Sequence, residues 1–164
     1  MHVLLCVRRR CAAVLCVDGR VYYTDGKPAD QIVDRFTKRA DNQITTLEIL
    51  AISVGLSSFD DLLLGRKVIV FSDNTGAEAT VRKGSSRAWD QSKLIHEIWS
   101  LALLLKLHIW IERVPSDDNI SDDPSREAYE LLDAPRPRGL GASWRPARLA
   151  KIFLGGTSLA DACV

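Results

Sequence analysis

The sequence predicts a mixed α/β domain: a five-stranded sheet, three antiparallel strands followed by two parallel ones, with helices on both faces. Strand-like runs come first, at 2–7, 11–17 and 20–24, and two more, at 68–71 and 108–114, then alternate with helical patterns. Meandering strands pair antiparallel, whereas strands separated by helical segments need crossovers and pair parallel. Length agrees, because 164 residues bury one sizeable core and are too few for two comfortable domains.

Each element has a local reason. Asp18-Gly19 stands between two β-rich runs, a strong hairpin signal, because such tight turns need residues that tolerate positive φ. Arg8-Arg9-Arg10 turns the first strand toward the second, and 27–43 is polar and reads as irregular or partly helical. Thr45 or Thr46 then starts a helix in which Leu47, Leu50, Ala51, Val54 and Phe59 recur at helical spacing. Val68-Ile69-Val70-Phe71 is unbroken by polar residues and reads as a strand buried on both faces. A short helix over 75–83 ends at Gly84. Asp90 opens a long one whose stripe is Leu94, Ile95, Ile98, Trp99, Leu101, Ala102 and Leu105. Trp99 and Trp110 lie within apolar patterns and read as core, while Trp89 is a candidate surface stacking residue. A last helix is expected from Pro124 to about Leu132. The domain is assigned to 1–132. Residues 133–164 read as a linker and tail, since Pro135, Pro137, Gly139 and Gly141 break helix and strand alike.

Composition narrows the function classes. The hydrophobic share of 46% and charged share of 26% are those of an ordinary globular domain. No apolar run reaches the roughly 18–20 residues that span a bilayer. At the start of the chain the charges follow the apolar run, the wrong order for a secretory signal, so an intracellular protein is expected. Cys6, Cys11, Cys16 and Cys163 show no metal-binding spacing and fit a reducing compartment. From Asp133 onward five basic residues face two acidic ones, a formal +3, which leaves −2 for the rest of a +1 chain. A near-neutral body is no general polyanion binder; affinity for nucleic acid would need metal ions and a local basic strip.

The candidate chemistry lies in three carboxylates at the ends of elements. Glu48 sits in the first turn of the helix that starts at Thr45 or Thr46, Asp73 follows the strand 68–71, and Asp122 follows the strand 108–114 across a polar loop. Carboxylates just past buried strands lie at the sheet edge where α/β proteins place their chemistry. Several together can hold Mg²⁺, which prefers oxygen ligands, and a metal pair about 3.5–4 Å apart serves displacement at a phosphodiester. Glu48 and Asp73 also have plainer readings: Glu48 as a capping-box or first-turn acid favoured by the helix dipole, and Asp73, followed by Asn74 and Thr75, as a helix N-cap. Asp117, Asp118 and Asp123 read as loop acids. Asn74, Arg82, Lys83, Ser85, Ser86 and Arg87 are candidates for contacts to a nucleic-acid backbone, which basic and hydroxyl groups grip without reading sequence.

Four phrases in order carry a family resemblance: Asp18-Gly-Arg-Val-Tyr-Tyr; Ile44-Thr-Thr-Leu-Glu-Ile-Leu-Ala-Ile; Val68-Ile-Val-Phe-Ser-Asp-Asn; and Arg113-Val-Pro-Ser-x-x-Asn-Ile-Ser-Asp-x-Pro-Ser-Arg126. Over about 10–126 the chain resembles the ribonuclease H domain that accompanies reverse transcriptase in retroelements. The resemblance implies Mg²⁺-dependent endonucleolytic hydrolysis of RNA in RNA–DNA hybrids. Glu48, Asp73 and Asp122 would be catalytic metal ligands, Pro115 and Asn119 would shape the loop presenting Asp122, and the ancestor would have been fused to a reverse transcriptase. The family's remaining carboxylate is an Asp on the first strand. Counting back a family-like distance lands near Leu5 or Cys6, and neither is acidic. Asp25 in Thr24-Asp25-Gly26 imitates the family phrase, yet only 23 residues separate it from Glu48, too few for two further strands. The loop 114–122 also lacks the histidine of some cellular members. Impaired hydrolysis is therefore expected. The alternatives are a catalytically inactive nucleic-acid-binding remnant of a retroelement polyprotein and an integrase or transposase of the same fold; the phrases around Glu48 and Asp122 argue against the second.

Overall fold

The computed structural model describes residues 2–7, 10–38, 40, 43–126, 128 and 140–141. Its strands β1 (His2–Val7), β2 (Cys11–Val17), β3 (Arg20–Gly26), β4 (Lys67–Ser72), β5 (His108–Arg113) and β6 (Leu140–Gly141) form one sheet in the order β5-β4-β1-β2-β3-β6. β1, β2 and β3 pair antiparallel in sequence; β4 joins β1, and β5 joins β4, in parallel. Asp18 and Gly19 both adopt positive φ, 50° and 72°, the backbone a two-residue hairpin turn requires.

Among the described residues, six helices accompany the strands: α1 (Asp30–Val33), α2 (Ile44–Ser58), α3 (Asp60–Leu63), α4 (Thr75–Lys83), α5 (Trp89–Leu104) and α6 (Asp122–Ser125). α2 packs on β1 and β2 and also against α5 and α4. That position explains its composition. A run almost wholly apolar or small, from Ile49 to Ser58, is buried on nearly every face, wider than the single stripe expected from its periodicity. Cys11, Ala13, Leu15 and Val17 of β2 join this core, and the alternate residues Ala12 and Val14 are buried as well. β2 is therefore covered on both faces, and α6 is the described element that packs across β1, β2 and β3.

α4 is delimited by its ends. Asn74 accepts the Ala77 N–H on its Oδ1 at 2.9 Å, and Gly84 closes the helix at φ 72°. Asn74→Ala should lower the stability by about 1 kcal/mol, read as a shift of the urea midpoint at unchanged m-value.

Two expectations need correction. Trp110 is not core: it is 58% exposed, because β5 is the edge strand and only its Ile111 is fully buried. The stretch assigned to linker and tail contributes to the sheet, since Leu140 and Gly141 pair in parallel with Tyr22 and Tyr23. The rest of that tail, and the helix expected beyond Ser125, lie outside the described residues apart from Arg126 and Ala128.

Candidate active site

Strand direction sets Glu48 and Asp73 toward one edge of the sheet. β1, β3, β4 and β5 all run the same way, so their carboxyl ends share one sheet edge. α2 follows β3 and precedes β4, and must travel from that edge to the opposite one. Its 15 residues span about 22 Å, close to the length of the strands it crosses. The start of α2, with Glu48 as its fifth residue, is thereby set at the edge where β4 ends in Ser72, just before Asp73. One close approach fixes the placing: a Cβ added at Gly76, in the first turn of α4, would lie 3.0 Å from Thr45 Oγ1. Thr45 is one helical turn before Glu48, and Gly76 three residues after Asp73. Glu48 is only 3% exposed, while Asp73 is half-buried. Ser72, fully buried, accepts the Asn74 N–H on Oγ at 3.2 Å and so shapes the turn that carries Asp73.

Asp122 opens α6. The buried Asn119 orders the preceding loop: its Oδ1 accepts from Ser121 Oγ at 2.7 Å, and its carbonyl accepts the Asp122 N–H at 2.9 Å. One carboxylate oxygen of Asp122 is ion-paired with Arg126, and Ser125 Oγ reaches the other at 3.4 Å. Asp25 belongs elsewhere. It lies on β3, three strand spacings or about 14 Å from β4. There it takes two hydrogen bonds from the Arg10 guanidinium, at 2.6 and 2.9 Å.

β1 decides how well this edge suits magnesium. Leu5 is in register with Ser72, the last residue of β4, and Cys6 follows it on β1 as Asp73 follows Ser72. β1 carries no acid from His2 to Val7. Among the described residues, no three His, Cys, Asp or Glu side chains form a group able to hold a metal ion. With no oxygen ligand on β1 and Asp122 bound to Arg126, the donor set as it stands does not fit a magnesium pair.

Known structures share this architecture. Ribonuclease H1 from the halophilic archaeon Halobacterium salinarum is similar with a TM-score of 0.52 and 13% identity, over 77% of this chain and 96% of that one. The N-terminal RNase H domain of a Mycobacterium tuberculosis protein, determined as a fusion with maltose-binding protein, also gives 0.52 and 13%, over 79% of this chain and 96% of that one. The fold is ribonuclease-H-like. No family model matches the sequence, and no curated protein matches it.

On this ribonuclease-H-like frame, the candidate backbone-contacting residues divide. Lys83, Ser85 and Arg87 are exposed around the α4–α5 connection, next to Trp89, which is also exposed and has the Lys93 ammonium 6.0 Å from its ring centre. Asn74 is engaged as the α4 cap, and Ser86 is engaged within the connection. Arg82 turns to the sheet edge. It pairs with Glu78 at 2.7 Å and lies 5.8 Å from the centre of the Trp110 ring. Trp110 Nε1 donates to Glu112 at 3.0 Å, which holds that carboxyl below the usual carboxylate range, with smaller help from the Arg113 N–H and Arg82. Sequence reasoning missed the fully buried Asp90, whose place beneath the first turn of α2 is visible only once α5 is packed there. No helix among the described residues is long and apolar enough to cross a membrane.

Proposed function

We propose that this chain is a ribonuclease-H-like domain of retroelement type that binds RNA–DNA hybrid and hydrolyses its RNA strand weakly or not at all. One observation carries the reading: Cys6 follows Leu5 on β1 as Asp73 follows Ser72, so the edge that presents Glu48 and Asp73 has no carboxylate on its first strand. Lys83, Ser85 and Arg87 suit a sequence-independent grip on phosphates, and an A-like duplex is recognised by shape and backbone. The four sequence phrases, two of which surround Glu48 and Asp122, favour the retroelement type and a polyprotein ancestor containing reverse transcriptase.

The test is fluorescence anisotropy with labelled RNA–DNA hybrid, DNA duplex and single-stranded RNA across a salt series, alongside a cleavage assay with Mg²⁺. Expected are hybrid binding that weakens steeply with salt, and cleavage at background. Lys83→Ala and Arg87→Ala should each weaken binding and lower the log–log salt slope by about one. Efficient cleavage by the unaltered chain would overturn the impaired-hydrolysis reading; absence of hybrid binding even at low salt would overturn the substrate reading.

A further inference from the structure

The connection that displays Ser85 and Arg87 is tied to the carboxylate edge by a buried relay that crosses three elements. Ser86 Oγ accepts the Ala88 N–H at 3.1 Å and donates to Gln91 Oε1 at 2.7 Å. Gln91 Nε2 donates to Thr46 Oγ1 at 3.4 Å, and that hydroxyl donates to Asp90 Oδ2 at 3.4 Å. The same Asp90 oxygen accepts the Thr37 N–H at 3.0 Å. Thr46 and Asp90 are fully buried, Gln91 nearly so, and Thr46 is two residues before Glu48. A buried carboxylate is costly to keep unless hydrogen bonds compensate it, so this arrangement is held in one geometry.

We infer that Gln91 and Asp90 are positioning residues: the relay from Ser86 through Gln91, Thr46 and Asp90 to Thr37 fixes the phosphate-facing connection 84–88 relative to Glu48 and Asp73. Ser86, a candidate phosphate contact by sequence, is in this view the brace that aims its neighbours Ser85 and Arg87. The relay works through them and touches no nucleic acid itself. This inference rests on the proposed hybrid binding.

The experiment compares the parent chain with Gln91→Leu, Ser86→Ala and Ser86→Thr. It reads amide hydrogen exchange in the free protein and the salt slope of hybrid binding. Gln91→Leu and Ser86→Ala should speed exchange at the Ala88 amide about three- to tenfold, the loss of one hydrogen bond, and reduce the slope by about one phosphate contact. Ser86→Thr keeps the hydroxyl and should restore both. Leu63→Ala, a core truncation in α3 remote from the relay, controls for simple loss of stability and should leave the slope intact. If Gln91→Leu leaves the slope unchanged while the parent binds hybrid, the positioning role is overturned and the hybrid reading stands. If the slope falls equally in Leu63→Ala, the role is merely structural and the inference is overturned. If the parent binds no hybrid, both fall.

Discussion

Cys6→Asp is expected to confer Mg²⁺ binding and hybrid cleavage on this chain, raising the cleavage rate over the parent by about 10²-fold or more. The register argues for this residue. Leu5 is level with the buried Ser72, and the next residue, Cys6, follows it on β1 as Asp73 follows Ser72. An aspartate there would add the oxygen ligand that the edge lacks, beside Asp73 and the first turn of α2. Charge stabilisation by a correctly held metal is worth several kcal/mol, and each 1.36 kcal/mol is about tenfold in rate. Calorimetric Mg²⁺ binding and cleavage of labelled hybrid would be measured together. Cys6→Asn, similar in size to aspartate and uncharged, should do neither. Gain of cleavage by Leu5→Asp but not by Cys6→Asp would mean that the β1–β4 register is displaced by one residue. Gain by neither, in folded variants, would mean that the edge cannot be completed from β1.

The largest loss of stability is expected from Phe59→Ala. Phe59 is 1% exposed, ends α2 and begins α3, donating its N–H to Gly55 O at 3.3 Å and accepting from the Leu62 and Leu63 amides at 2.9 and 3.1 Å. Those backbone bonds survive the substitution, so the effect isolates the ring. Truncating a buried phenylalanine costs about 3–5 kcal/mol through lost burial and the cavity left behind. For a chain of this size the melting temperature should fall by roughly 10 °C or more. A loss below about 1 kcal/mol in urea titration would show that the junction of α2 and α3 collapses around the gap, or is not packed as described.

What the sequence determined by itself was local. The Asp18-Gly19 turn, the alternation of strands and helices after it, the stop of α4 at Gly84, and the placing of Glu48, Asp73 and Asp122 near element ends all follow from φ preferences and period. These act within a few residues, so a linear reading reaches them. The α4 cap falls on Asn74, one residue after the Asp73 that the sequence suggested. What the tertiary structure decided was which elements become neighbours. Whether a strand is central or at the edge depends on sheet order, and so Val68 and Val70 are buried, Ile69 and Phe71 partly so, while Trp110 on the edge strand β5 is exposed beside Arg82. Asp25 imitates a catalytic phrase, but it lies on β3, three strands from β4, with its carboxylate held by Arg10. The choice between Leu5 and Cys6 is one of register, which pairing with β4 sets and a residue count cannot. The relay through Asp90 joins residues 53 positions apart, from Thr37 to Asp90, and exists only because α5 packs on the first turn of α2. Backbone preferences specify elements one at a time; burial and cross-element hydrogen bonds are satisfied only in the assembled core.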